Sequence, residues 1–438
     1  MRLLPWLPVI LLSLATATRA AAPASAVMFR GDAAHQGRYE AEPLTALPVV
    51  RWKVTLDGNI FSSCVVSGDT VYVGCGGNKF HALKSATGTV VWTVTTRGAV
   101  HSTPAIADGT VYFGDASGTF HALDAATGEG KWTFRAEGER RFGAKGLHGA
   151  QPADRYFEDD WDFFLSSPVV GGGLVYFGSG NGRVYALDLK TGRERWNFRV
   201  GEVVHGSPAL AHGNLYFGGW DGVLHCVDAA TGAAKWQFQT GLDPAIHNQV
   251  GLQGAPVVVD EVVYFGCRDA NVYALDARDG RELWRRNNKG SWVVVSPLVV
   301  GDQLCYTTSD SQQFVVLNRR TGETLYTLPT RAYGFSSPIA IGSWVYFGVF
   351  NGELVAVDTA AKAEKWKFRT DEARRDARGV LKADGSLDTQ KIFAAQTADN
   401  TAEIFRMLFS AGAVLSTPVL CADGLIFGTA DGHVYCIR

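Results

Sequence analysis

One phrase recurs along this chain. It reads "TVYFGDASGTFHALDAATGEGKW" from Thr110, "LVYFGSGNGRVYALDLKTGRERW" from Leu174 and "VVYFGCRDANVYALDARDGRELW" from Val262. Anchored on its VYFG string, copies begin at Val71, Val111, Val175, Leu215, Val263, Leu304, Val345 and Leu425, with "LCYT" and "LIFG" as degraded versions. Their spacings are 40, 64, 40, 48, 41, 41 and 80 residues, a base period near forty with extra material in three gaps. A unit repeating at such a period must bury its apolar faces against its neighbours. From His205, the strings "SPALA", "LYFG", "VLHCVD" and "AAKWQF" read as four short strands joined by tight turns. In the Asp-x-x-Thr-Gly turn, Asp228 can accept backbone N–H groups and Gly232 tolerates positive φ. The unit from Trp344 departs from that turn, with "DTAAKAEKW".

Four-stranded units of this length are blades of a β-propeller, which removes exposed sheet edges by closing radially. The last unit stops at "HVYCIR" without a fourth strand, and "LPVVRWKVTL" near the start supplies a lone one carrying Trp52. The expected fold is therefore all-β: eight four-stranded antiparallel blades, the eighth combining 416–438 with 49–56. Trp52, Trp92, Trp132, Trp196, Trp236, Trp284 and Trp366 share one slot, with Tyr326 in the eighth copy. Such a slot predicts packing between blades, each ring burying ~150–250 Å².

Residues 1–26 read as a signal peptide: Arg2, the apolar "LLPWLPVILLSLATA", then small residues, with cleavage after Ala20 or Ala26. No Cys follows the apolar stretch, so a lipid anchor is not expected, and the mature chain, 27–438, should be a secreted or periplasmic monomer without a membrane span. Its net charge of −2, with 19% charged residues, carries no footprint for nucleic acid. Cys75 and Cys267 share a slot, as do Cys226 and Cys436; such slots lie too far apart to be bridged. Cys64 and Cys421, in consecutive units, are the one pair within reach. Buried free thiols are expected.

The phrase Gly-x-x-Tyr-Ala-Leu-Asp-x-x-Thr-Gly-x-x-x-Trp resembles the repeat of pyrroloquinoline quinone (PQQ)-type propellers, and "VMFRGDAAHQGRYE" from Val27 resembles the segment that often precedes it. The resemblance spans roughly 27–438. It implies either of two roles: a quinoprotein alcohol or sugar dehydrogenase using PQQ with calcium, or a non-enzymatic propeller like the lipoprotein of outer-membrane β-barrel assembly. The dehydrogenase role needs flat walls for the quinone, oxygen ligands for a hard cation and a carboxylate base. In the family two adjacent cysteines form one wall; this chain has no adjacent cysteines.

The central mouth should be lined once per blade by Phe61, His101, Leu165, His205, Gln253, Val294, Phe335 and Leu415, a circle without Asp or Glu. Its candidate ligand-binding residues are Phe61, His101, His205, Gln253 and Phe335, with Trp292 beside them. The imidazoles could bind a soft metal or an anion, or serve as hydrogen-bonding groups beside a wet channel.

Three insertions, about 135–164, 240–254 and 370–412, all join the outermost strand of one blade to the innermost of the next, and so decorate one face. In the third, "TAEIFRMLF" reads as a short helix. In the first, "FEDDWDFF" reads as a calcium or cationic-ligand site with aromatic walls, or as a solvated acidic loop pinned by its aromatics. Candidates on this face are Arg140, Arg141, Asp159, Asp160, Trp161, Asp162, Arg374 and Arg375. No nucleophile elbow, His-Glu-x-x-His or Cys-x-x-Cys occurs, and no catalytic or metal-ligating residue is assigned. The expectation is a non-catalytic exported scaffold, without cofactor, that binds a protein partner or a small ligand.

Overall fold

Eight sheets surround a central channel, and each runs from an innermost strand beside the axis to an exposed outermost one. The computed structural model describes residues 27–241, 251–394 and 400–438; the expected signal peptide and 242–250 of the second insertion lie outside the described residues. Each blade has four antiparallel strands, such as Ala209–Ala211, Asn214–Gly218, Val223–Asp228 and Ala234–Gln239. The eighth closes as the repeat arithmetic requires. Val50–Thr55 pairs with His433–Ile437, setting Trp52 opposite Cys436 and Lys53 opposite Tyr435.

The repeat residues hold each blade to the next. Trp196 Nε1–H donates to the Ala229 carbonyl at 3.1 Å, and the Tyr176 hydroxyl donates to the same oxygen at 3.0 Å. That carbonyl belongs to the Asp-x-x-Thr-Gly turn of the following blade, where Asp228 Oδ1 accepts the N–H groups of Ala230 and Thr231. In blade seven the turn survives without its Gly, with Lys362 at φ +54. Blade eight has no such turn, so Trp366 and Tyr346 bond to Leu44 of the N-terminal segment instead.

A second belt runs around the channel. At six of the eight Pro slots the preceding Ser or Thr accepts an N–H from the blade before: Ser63 N–H to Thr103 Oγ1, Thr103 to Ser167, Ser167 to Ser207, Ala255 to Ser296, Ser296 to Ser337, and Thr417 back to Ser63, all 2.9–3.1 Å. Ala255, with no hydroxyl, cannot continue it from Ser207.

The N-terminal segment does more than precede the repeats. Residues 27–39 lie inside the channel, where the carbonyls of Val27, Ala33, Ala34 and Gly37 accept from the innermost strands of blades two, four, five and seven. Arg38–Tyr39 then adds a short parallel strand to blade seven. Arg30, fully buried, donates to the carbonyls of Ser296, Pro297 and Pro338. Burial pulls its guanidinium pKa down to about 9. All seven cysteines are buried and free. Among the described residues no helix is long and apolar enough to cross a membrane.

The third insertion holds α1 (Asp371–Arg375), α2 (Thr389–Phe393) and α3 (Thr401–Phe409). Only α3 was legible as a helix. Its Ile404 and Leu408 face the ring, which turns Phe405 and Phe409 across its surface.

Candidate functional site

The mouth residues converge, but on the protein's own chain. The first insertion folds as a hairpin, Gly143–Lys145 against Tyr156–Glu158, and sends Trp161–Phe164 down into the channel opening. Gln253 Nε2 donates to the Trp161 carbonyl at 2.7 Å, and His101 Nδ1 to the Phe163 carbonyl at 2.8 Å. The Phe61 and Phe163 ring centres lie 4.9 Å apart, those of Trp161 and Phe335 5.5 Å. Four of the mouth candidates thus bind a plug supplied in cis. Beneath it, between Phe164 and Phe29 of the N-terminal segment, remains a chamber of ≈ 50 Å³.

Carboxylates do reach this mouth, against the expectation of a circle without acids, because the insertion carries them in. His205 lies between Asp162 Oδ1 at 2.7 Å and Glu139 Oε1 at 2.9 Å. Burial alone would lower its pKa; the two carboxylates outweigh that and raise it to about 10, so the buried imidazole is a cation at neutral pH. Asp162 Oδ2 also accepts the Phe142 N–H at 2.7 Å.

Asp159 is the second anchor. Its Oδ2 meets Arg268 Nη1 at 2.6 Å, with both side chains fully buried. The guanidinium lies 3.7 Å from the ring centre of Trp292 and 4.7 Å from that of Trp220. Against the upward pull of burial, Arg268 and His148 hold the Asp159 carboxyl well below the usual carboxylate range. Two of the four acids in "FEDDWDFF" are therefore buried struts, where sequence reading had a solvated loop or a cation site. Trp292 serves this sandwich rather than lining the chamber.

The other basic candidates divide. Arg141 stays with the insertion, donating to the carbonyls of Asp159 and Asp162 and lying 3.5 Å from the Asp160 carboxylate. Arg140 pairs with Glu202. Arg374 and Arg375 do not join the site: they pair with Asp371 and Glu372 within α1. Sequence reading missed Arg268, whose only visible signal was a charge at a hairpin turn, and the hydroxyl belt, whose signal was the Ser or Thr before each Pro. Glu372, Asp431 and His433 form the one set of potential metal-ligand atoms within 4.8 Å among the described residues, and Asp431 lines a hollow on the insertion face together with Asn59, Phe405 and Phe409.

With the mouth filled, the insertion face has a hollow of ≈ 400 Å³ bordered by Arg378, Arg406 and Asp431 and, sharing Asn59, Ala402, Phe405 and Phe409 with it, a cleft of ≈ 320 Å³. Phe61, Phe163, Phe405 and Phe409 wall it, Asn59 and His101 stand in its lining, and Arg140, Arg141 and Asp160 edge it.

Ring, belt and repeat define an eight-bladed propeller of the PQQ-like class. The chain belongs to the family described as outer membrane protein assembly factor BamB, whose model matches residues 49–151 and 158–368. No curated protein matches it. Among solved structures, BamB from Moraxella catarrhalis is similar at 19% identity and TM-score 0.66, over 90% of this chain and all of that one. The quinohemoprotein alcohol dehydrogenase of Comamonas testosteroni is similar at 14% identity and TM-score 0.69, over 94% of this chain and 80% of that one. The designed protein Ika8 is similar at 13% and 0.61, over 89% and 98%. At these identities the likeness is one of fold.

The family's fold also implies a test for PQQ. The quinone needs two flat walls and oxygen ligands for its cation. Here Trp161 and Phe163 take the flat space, and Glu139 and Asp162 are engaged by His205. The chamber beneath is far below the roughly 300 Å³ at which sites for such ligands begin, and in the ≈ 320 Å³ cleft above it the carboxylates of Asp160, Asp162 and Glu139 are already paired with Arg141 and His205. The mouth residues do not fit that group.

Proposed function

We propose that this protein is a non-catalytic scaffold of the cell envelope whose insertion face recognises a partner polypeptide. The observation that supports this most is the plugged mouth. The residues that would serve a ligand on the axis hold Trp161–Phe164 instead, which leaves the two adjoining clefts of the insertion face as concave surface open to a partner. Membership of a family named for an outer-membrane assembly factor supports the envelope setting and the scaffold role.

A photoreactive residue at Ala402, on the insertion face, should crosslink one defined envelope polypeptide; the same residue at Lys190, on a turn of the opposite face, should not. Crosslinking at neither position or only at Lys190, or alcohol-dependent dye reduction by protein supplied with PQQ and Ca²⁺, would overturn the reading.

A further inference from the structure

One acid of the eighth blade has lost the donor that the repeat gives it. In the hairpin turn after the second strand, Asp221 Oδ1 accepts the N–H of Val223 at 3.1 Å, and Asp269 Oδ1 that of Asn271 at 2.9 Å. Asp431, in "GTADGHVYC", fills the slot of Asp221 in "GGWDGVLHC". There the N–H two residues on, from His433, goes to Thr429 Oγ1 at 3.2 Å instead. Both Asp431 carboxylate oxygens are buried and accept no hydrogen bond among the described residues. A buried carboxylate without donors is unfavourable until a donor or a cation reaches it.

Two further ligand groups meet it. His433 Nε2 lies 3.3 Å from Asp431 Oδ2, and Glu372 of α1 brings a carboxylate oxygen within 4.8 Å of both. His433 Nδ1 lies 3.0 Å from Thr55 Oγ1 on the closing strand. A ring that donates there leaves its Nε2 lone pair for a metal, the arrangement in which imidazoles ligate. Around a tetrahedral Zn²⁺ with bonds of ~2.0–2.2 Å, adjacent ligand atoms stand ~3.3–3.6 Å apart. His433 and Asp431 already have that spacing. Glu372 pairs with Arg375 at 3.2 Å, a largely exposed guanidinium one turn away, and such a pair is weak enough to yield to a divalent ion. Gly412 keeps the space between the acids open, since a Cβ there would lie 3.3 Å from Asp431 Oδ1 and 3.3 Å from Glu372 Cβ.

We propose that Glu372, Asp431 and His433 bind one Zn²⁺, which ties α1 of the third insertion to the last turn of blade eight. One imidazole with two carboxylates suits a borderline ion, whereas Ca²⁺ and Mg²⁺ take shells of oxygen. Three protein ligands leave the fourth position to water or to a group from outside. Asp431 also lines the ≈ 400 Å³ hollow, so the ion stands at the border of the insertion face's open surface. The site stands independently of the scaffold reading.

Titration calorimetry of Zn²⁺ into the chelator-treated full chain near neutral pH should show one saturable site, with Ca²⁺ and Mg²⁺ roughly a hundredfold weaker or more. His433→Ala should weaken Zn²⁺ binding at least tenfold; His212→Ala, which removes an exposed imidazole elsewhere, should not. Asp431→Asn gives a second readout that does not depend on His433→Ala folding. Without metal it should unfold no lower than wild type, because an unpaired buried charge has gone. With Zn²⁺ the wild type should unfold at a higher temperature and Asp431→Asn should not respond, nor should Glu372→Gln respond fully. No saturable Zn²⁺ binding, equal affinity in His433→Ala, or a Zn²⁺-induced rise in unfolding temperature that survives Asp431→Asn would overturn the proposal.

Discussion

Asp159 and Arg268 meet 2.6 Å apart with no exposed surface on either side chain, across 109 positions of sequence. The contact ties the tip of the first insertion to the fifth blade. A buried pair of this kind offers little net stability relative to apolar residues, but removing one partner strands a charge without solvent. Arg268→Met should therefore cost about 3–5 kcal/mol in urea unfolding, and Asp159→Asn a similar amount. The double variant Asp159→Leu/Arg268→Met should recover much of that loss. If the singles and the double are equally unstable, the pair is not what holds the insertion down.

His205 sets the alkaline side of the stability profile. Its folded pKa, about 10, lies above the ordinary value of 6.5 because Asp162 and Glu139 outweigh the effect of burial. Its contribution is complete below pH 6.5 and lost as pH rises through 10, with a slope approaching 1.4 kcal/mol per pH unit. His101 and His81 act on the acid side, since burial lowers both to about 4. Their contribution is present above pH 6.5 and lost as pH falls toward 4. Unfolding free energies measured from pH 4 to 10 should give a dome, and His205→Gln should flatten its alkaline limb alone.

How much of this could be read from the residues differs between ring and site. Blade number, strand order and the pairing of Trp52 with the last strand follow from the repeat, because each copy repeats the same local instruction and errors in one are corrected by seven others. Phe61, His101, Leu165, His205, Gln253, Val294, Phe335 and Leu415 all line the chamber under the plug. The plug was not foreseen, since Trp161–Phe164 enter from an insertion with no counterpart in other units. The partners of Asp159 and Asp162 were equally hidden: a carboxylate at a loop tip looks the same in sequence whether it meets water or, like Asp159, a guanidinium a hundred residues away. Arg30 reads as an ordinary charge until the channel around it is built.

Arg30 provides the third test. Its guanidinium donates at 2.8–3.1 Å to three carbonyls on blades six and seven. A planar fork can serve several acceptors at once, whereas an ammonium is a point donor on a flexible stem. Arg30→Lys should therefore behave almost like Arg30→Met, each losing about 3 kcal/mol or more through unpaired buried carbonyls. Thermal unfolding of the two variants beside wild type decides it. A Lys variant as stable as wild type would show that charge alone seats the segment.

The turn glycines separate two physical costs that sequence cannot tell apart. Gly232 has φ +74, and a Cβ there would lie 2.7 Å from the Trp196 ring. Gly213 has almost the same φ, +73, with no atom near the place its Cβ would take. Alanine at Gly213 meets only the left-handed backbone penalty, about 1–2 kcal/mol. At Gly232 it meets that penalty and also displaces the indole that locks blade three to blade four, adding about 1–3 kcal/mol of overpacking. Gly232→Ala should thus be the more damaging change by chemical denaturation, and it should also disturb the Trp196 environment in near-ultraviolet circular dichroism, which Gly213→Ala should leave alone. Equal losses at the two positions would mean that the glycine serves backbone geometry only, and that the tryptophan clamp is not what selects it in the repeat.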